Sequence, residues 1–159
     1  MLFNWKTLSG LVCGGLLIAT FSSNKLALAL KIEEVSSPQL RQGSWVTDMS
    51  NVLSPEAEKE INHSLSLLAA NNGIEMAVVT VPNTNSLSTS KEFANALFHH
   101  WKIGRKGQES GLLFLISTES RIAEIKTGIS VKQAISEKVA SDILNQQVLP
   151  QIKQRDFDK

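Results

Sequence analysis

The run Ile74-Glu75-Met76-Ala77-Val78-Val79-Thr80-Val81 is nearly all apolar and rich in β-branched residues, and Pro82 closes it. A continuous apolar run this short suits a strand covered on both faces, so it should lie centrally in its sheet. A strand covered twice needs helices on either side, which points to an α/β domain.

Upstream, Ser54-Pro55-Glu56 is a helix start: a hydroxyl for the orphan amides, a proline where no N–H is needed, and acids at the positive end of the dipole. Ala57, Ile61, Leu65 and Leu68 then repeat at helical spacing, and Asn71-Asn72-Gly73 supplies a left-handed stop. Downstream, Thr89 and Glu92 form a capping-box pattern ahead of Phe93, Leu97, Phe98 and Trp101, predicting a second helix that crosses back over the sheet. Residues 104–111 form its stop. Gly111-Leu112-Leu113-Phe114-Leu115-Ile116 reads as another buried strand, and residues 121–127 alternate as an edge strand would, so the two should form a hairpin. A final helix carries Ile135, Val139, Ile143 and Leu144, and Pro150 should kink or end it. Helix, strand, helix, strand, strand, helix is the order of a three-layer α/β/α sandwich.

Residues 30–44 lack an apolar period and read as a linker. Residues 1–29 hold Lys6 and Lys25, no acid, an apolar stretch at 8–21 and the triplet Ala27-Leu28-Ala29, which is a signal-peptide profile with cleavage before Leu30. An uncleaved anchor is the other reading, since 18 residues separate the two lysines and about 20 span a bilayer. The only cysteine, Cys13, falls inside this leader, so the remainder has no disulfide or thiolate metal site. Of 159 residues, 42% are apolar and 19% charged, which fits one globular domain rather than a disordered chain. The 16 basic and 15 acidic residues are interspersed, so no nucleic-acid partner is expected.

Gly104-Arg105-Lys106-Gly107 lacks the spacing of a phosphate-binding loop and reads as a basic solvated loop. His99 and His100 are adjacent, so on a helix they diverge and cannot share a metal, and His63 stands alone. No Gly-x-Ser-x-Gly elbow or Cys/His pair points to nucleophilic catalysis. No small-molecule cofactor is indicated. What remains is carboxylates at element ends, namely Asp48, Glu109 and Glu137, candidates for a metal or phosphatase site. Each also has an ordinary role: closing a turn, solvating a loop, or favouring a helix N-terminus.

Val46-Thr47-Asp48-Met49, Leu53-Ser54-Pro55-Glu56, the 74–81 run, residues 98–104 with Trp101 and Gly104, Gly111-Leu112-Leu113-Phe114-Leu115, and Glu124-Ile125-Lys126-Thr127-Gly128 follow one another in the order of the TPM domain. The chain resembles that family over residues 45–159. The resemblance implies a Rossmann-like α/β/α fold with a small mixed sheet. It also implies an acidic cleft that in some members binds calcium or a similar cation such as magnesium, and a proposed acid-phosphatase activity. For photosynthetic relatives it implies a role in photosystem II repair. By motif position Asp48, Glu109 and Glu137 would be the metal carboxylates, and Trp101, Gly104, Gly111, Thr127 and Gly128 the framework of the motif. The family's Asp-Asn-Gly stands here as Glu109-Ser110-Gly111, its second Thr-Gly-x-Gly glycine as Ser130, and a following acid as Lys132. The expected function is an exported accessory domain of the periplasm or thylakoid lumen that serves a membrane protein complex such as photosystem II. The alternative is a metal-dependent acid phosphatase. Longer relatives would cover one sheet face with more helix, so an exposed apolar patch is expected beside Val148, Leu149, Ile152 and Phe157.

Overall fold

The computed structural model describes residues 30–38, 43–104 and 110–158. Its strands are β1 (Val46–Asp48), β2 (Glu75–Val81), β3 (Gly111–Ser117) and β4 (Ile122–Thr127). Helices α1 (Pro55–Asn72) and α2 (Ser90–Trp101) intervene, and the C-terminal part is α3 (Glu137–Ile143), a π-helical segment (Leu144–Val148) and α4 (Leu149–Gln154). The sheet order is β1-β2-β3-β4. The first three strands are parallel, with Val46 beside Val78 and Val78 beside Phe114, and β4 returns antiparallel with Ile125 beside Phe114. The 74–81 run is therefore an interior strand, as its unbroken apolar sequence requires.

Alternate residues of a strand point to opposite faces, and the core divides accordingly. On one face Val79, Val81, Leu113 and Leu115 pack against Phe93, Leu97, Phe98 and Trp101 of α2. On the other, Val46 and Val78 meet Leu65 of α1, while Ile116 and Ala123 meet Ile152 of α4. The caps form as their residues dictate. Ser54 and Thr89 each accept an amide hydrogen bond, from Ala57 and Glu92, and Gly73 closes α1 in the left-handed region at φ +68°.

Three expectations need correction. Part of the stretch read as a linker is packed: Val35 and Pro38 are buried, the Trp101 indole N–H donates to the Val35 carbonyl at 3.1 Å, and the Thr47 hydroxyl donates to that of Ser36. The apolar residues here, Leu30, Ile32 and Val35, lie in and beside a single 3₁₀ turn too short to show a period. Secondly, of the kink or stop expected at Pro150 the stop does not occur, since the helix runs on to Gln154. The π segment immediately before it accommodates the ring and the missing N–H. Thirdly, the buried stripe of this helix is Ala140, Leu144, Val148 and Ile152, while Val139 is 43% exposed. A strict four-residue spacing drifts around an α-helix, and the wider π turn in the middle brings it back onto the sheet. Among the described residues no helix is long and apolar enough to cross a membrane. The leader at 1–29 lies outside them.

Candidate functional site

In open α/β sheets, ligands bind beyond the carboxyl ends of parallel strands. At that end β1 finishes on Asp48, whose carboxylate is committed to the protein itself. One oxygen accepts the amides of Val52 and Leu53, at 2.9 and 2.8 Å, and the other accepts the Thr80 hydroxyl. Thr80 in turn accepts the Ser50 amide, and the Thr118 hydroxyl donates to the Ser50 hydroxyl at 3.1 Å. These bonds fix the bend from β1 into α1, including Asn51 at φ +52°. On the far side of the crevice the Asn83 side-chain amide donates to Glu119 at 3.3 Å and the Thr84 and Ser90 hydroxyls lie 2.8 Å apart. Among the described residues no histidine is hydrogen-bonded to any of these hydroxyls, and the Thr80 hydroxyl donates to the Asp48 carboxylate.

Glu137 lies at the other end of the sheet. It opens α3, is largely exposed, and pairs with Lys132 at 3.5 Å. Lys132 follows the turn at Gly128, whose amide bonds the Gly111 carbonyl at the start of β3. Asp48 is level with Thr80 and Ile116 instead. The strand between Gly111 and Ile116 rises on the order of 16 Å, so Asp48 and Glu137 cannot share a cation. Glu109 lies outside the described residues. Among those described, no group of three or more His, Cys, Asp or Glu side chains is placed to hold a metal. A hard cation takes six or more oxygens. Asp48, with three protein donors on its carboxylate, and Glu137, paired with an ammonium, do not fit such a site.

The remaining motif residues frame the opposite end of the sheet. Gly104, at φ +111°, and Gly111 pass so closely that a β-carbon on Gly104 would sit 2.6 Å from the Gly111 nitrogen, and one on Gly111 would sit 2.1 Å from the Ile103 carbonyl oxygen. Glu75 fastens this crossing by accepting the Gly104 amide at 3.1 Å. Thr127 is buried at the end of β4, and Trp101 is buried beneath Val35. These residues build the frame.

Two open surfaces flank this frame. Between α1 and the terminal helix runs a groove of about 520 Å³ whose floor is Met76, Val78, Phe114 and Ile116 and whose rim carries Glu60, Asp156 and Asp158. The exposed apolar patch expected beside the last helix does not form: Ile152 is buried, and Val148, Leu149 and Phe157 are half-buried, packed in one cluster with Ile116 and Ala123. Along the outer edge of β4, between α2 and α3, lies a second hollow of about 660 Å³. Glu124 on this edge has its carboxyl pushed above the ordinary range by burial, which Lys91 on α2 partly offsets.

A parallel three-strand core with one antiparallel edge strand, helices on both faces, and a β1–α1 bend tied by an aspartate define a small α/β domain of one known class. Residues 46–159 match the TPM domain, and the chain belongs to that family. Its fold is similar to the solution structure of the N-terminal domain of a protein from P. gingivalis (TM-score 0.74, 24% identity, covering 82% of this chain and 83% of that one). It is also similar to the N-terminal domain of the cg2496 protein from Corynebacterium glutamicum (0.58, 18%, 82% and 77%). A third similar structure is the BA42 protein from the psychrophilic bacterium Bizionia argentinensis (0.57, 21%, 69% and 74%). No curated protein matches the chain in sequence.

Proposed function

We propose that this TPM domain is an exported accessory module, without catalytic activity of its own, that docks onto a membrane protein complex in the periplasm or thylakoid lumen and assists its repair or assembly, photosystem II being the case in photosynthetic cells. The observation that carries the proposal is the groove over β2 and β3, with apolar side chains on its floor and carboxylates on its rim. An amphipathic helix with an apolar face and basic flanks suits it, because such a helix buries apolar area while its charges meet the rim. The leader supports export. Against the rival phosphatase stands the engagement of Asp48 in the β1–α1 bend.

The chain is incubated with detergent-solubilised membranes and recovered, beside a Ser64→Arg/Gln147→Arg double variant. Ser64 and Gln147 are exposed residues on opposite walls of the groove, so the variant blocks it with cations without disturbing the core. The proposal expects a membrane complex bound by the natural chain and released by the variant. Hydrolysis of an aryl phosphate that depends on calcium or magnesium and disappears in Asp48→Asn would favour the phosphatase instead.

A further inference from the structure

β4 is the edge of the sheet, and its outer side is chemically complete for pairing. The Gly128 amide points to Gly111 on β3, so in the antiparallel register the even-numbered residues of β4 direct their backbone groups inward. Ala123, Ile125 and Thr127 direct theirs outward, into the hollow beside the strand. Among the described residues none of those outward N–H groups donates to a protein acceptor. Unpaired edges of this kind are templates for another strand.

We propose that this edge pairs with the β4 edge of a second copy, antiparallel and symmetric about Ile125, joining two four-stranded sheets into one. The sequence of β4 is self-complementary about that residue alone. With Ile125 opposite Ile125 of the second copy, Glu124 faces Lys126 of the second copy and Lys126 faces its Glu124. Centring on Ala123 sets Glu124 against Ile122 instead, and centring on Thr127 sets Lys126 against Gly128. The backbone geometry agrees with the charges. Ile125 faces outward, so it forms a hydrogen-bonded pair with its own copy, and the Glu124–Lys126 positions become the non-hydrogen-bonded pairs, where side chains approach most closely.

The ends of the strand add a second, independent observation. Two exposed large apolar side chains bracket β4: Ile122, 40% exposed, and Ile129, 69% exposed. In the symmetric register Ile122 falls opposite Gly128 of the second copy, which has no side chain to obstruct it, and next to that copy's Ile129. Helix α2 packs over β3 and β4, so pairing also places the two α2 helices on the same face of the joined sheet. This surface is separate from the groove between α1 and the terminal helix.

The test is the mass of the full chain in solution, by light scattering across a concentration series, with the groove variant as a control. The natural chain should show twice 17.4 kDa. Glu124→Lys and Lys126→Glu each place like charges opposite one another at both symmetric pairs and should weaken dimerisation by roughly tenfold or more. The double swap Glu124→Lys/Lys126→Glu restores opposite pairing and should restore the dimer. Ile129→Asp, at a side chain 69% exposed, should weaken the dimer as well, and Ser64→Arg/Gln147→Arg should leave it intact. A monomer at all concentrations would overturn the proposal. So would association unaffected by the single reversals and by Ile129→Asp, or a double swap that fails to restore the dimer.

Discussion

Asp48→Ala leaves the Val52 and Leu53 amides and the Thr80 hydroxyl without their acceptor. Hydrogen bonds to a charged group contribute more than neutral ones, so the loss should cost about 2–4 kcal/mol in urea unfolding, and Asp48→Asn, which keeps one acceptor, about half of that. A metal ligand would behave differently: its removal would lower cation affinity and leave the apo stability nearly unchanged. Glu124 makes a pH prediction. Burial raises its carboxyl in the folded protein, so between the unfolded and folded titration ranges the native state binds more protons and stability falls as pH rises. In dilute protein Glu124→Gln should therefore stabilise the fold at neutral pH, with the gain vanishing below about pH 4, where the carboxyl is protonated in both states. Equal stability of the two proteins at pH 7 would contradict this. Asp48 was visible in the sequence as an acid at an element end, but its partners were not. Thr80 is distant in sequence, and only strand register brings its hydroxyl to Asp48, while the Thr118 hydroxyl meets Ser50. The one available signal was Thr80 itself, a hydroxyl inside an otherwise apolar strand.

At the scale of elements, Trp101 ties α2 to the packed segment before β1. Trp101→Phe keeps an aromatic ring in the core but leaves the Val35 carbonyl unpaired, and should cost about 1–3 kcal/mol. Limited proteolysis should then cut near residues 31–38 faster than in the natural chain, while cleavage elsewhere changes little. Gly111→Ala must push a methyl group into the Ile103 carbonyl. It should cost at least about 1–3 kcal/mol by thermal melting, with no better result from a larger residue. The strands and helices were legible because caps and apolar periods are local: Ser54, Thr89, Gly73 and the 74–81 run each act within a few residues. The π segment was not legible. It arises from fitting a helix that contains Pro150 onto a sheet that other elements have already shaped, and its four-residue spacing read as an ordinary α-helical stripe placed one residue off. The 3₁₀ turn at Ile32–Glu34 was missed for the same reason, since its packing depends on α2.

In the whole molecule, the sheet separates the two carboxylates that motif position would unite. Asp48 closes one end of the parallel strands and Glu137 stands at the other, so family resemblance located the residues without showing what they do together. The fold itself was legible through to its class, because one buried central run and the order of elements leave few alternatives. The groove was not foreseen, and the residues expected to be uncovered beside the last helix are packed with Ile116 and Ala123 instead. Its floor combines β2 and β3, and its walls combine α1 and the C-terminal helix, which are far apart in sequence. The central claim is that the domain works by docking through this groove. The most direct measurement is quantitative recovery of membrane complexes from detergent extracts by the full chain and by Ser64→Arg/Gln147→Arg, with equal folding of both verified by circular dichroism. Docking predicts a defined complex with the natural chain and a loss of at least roughly tenfold with the variant. Equal recovery by both proteins, or no complex above the bare resin with either, would contradict it.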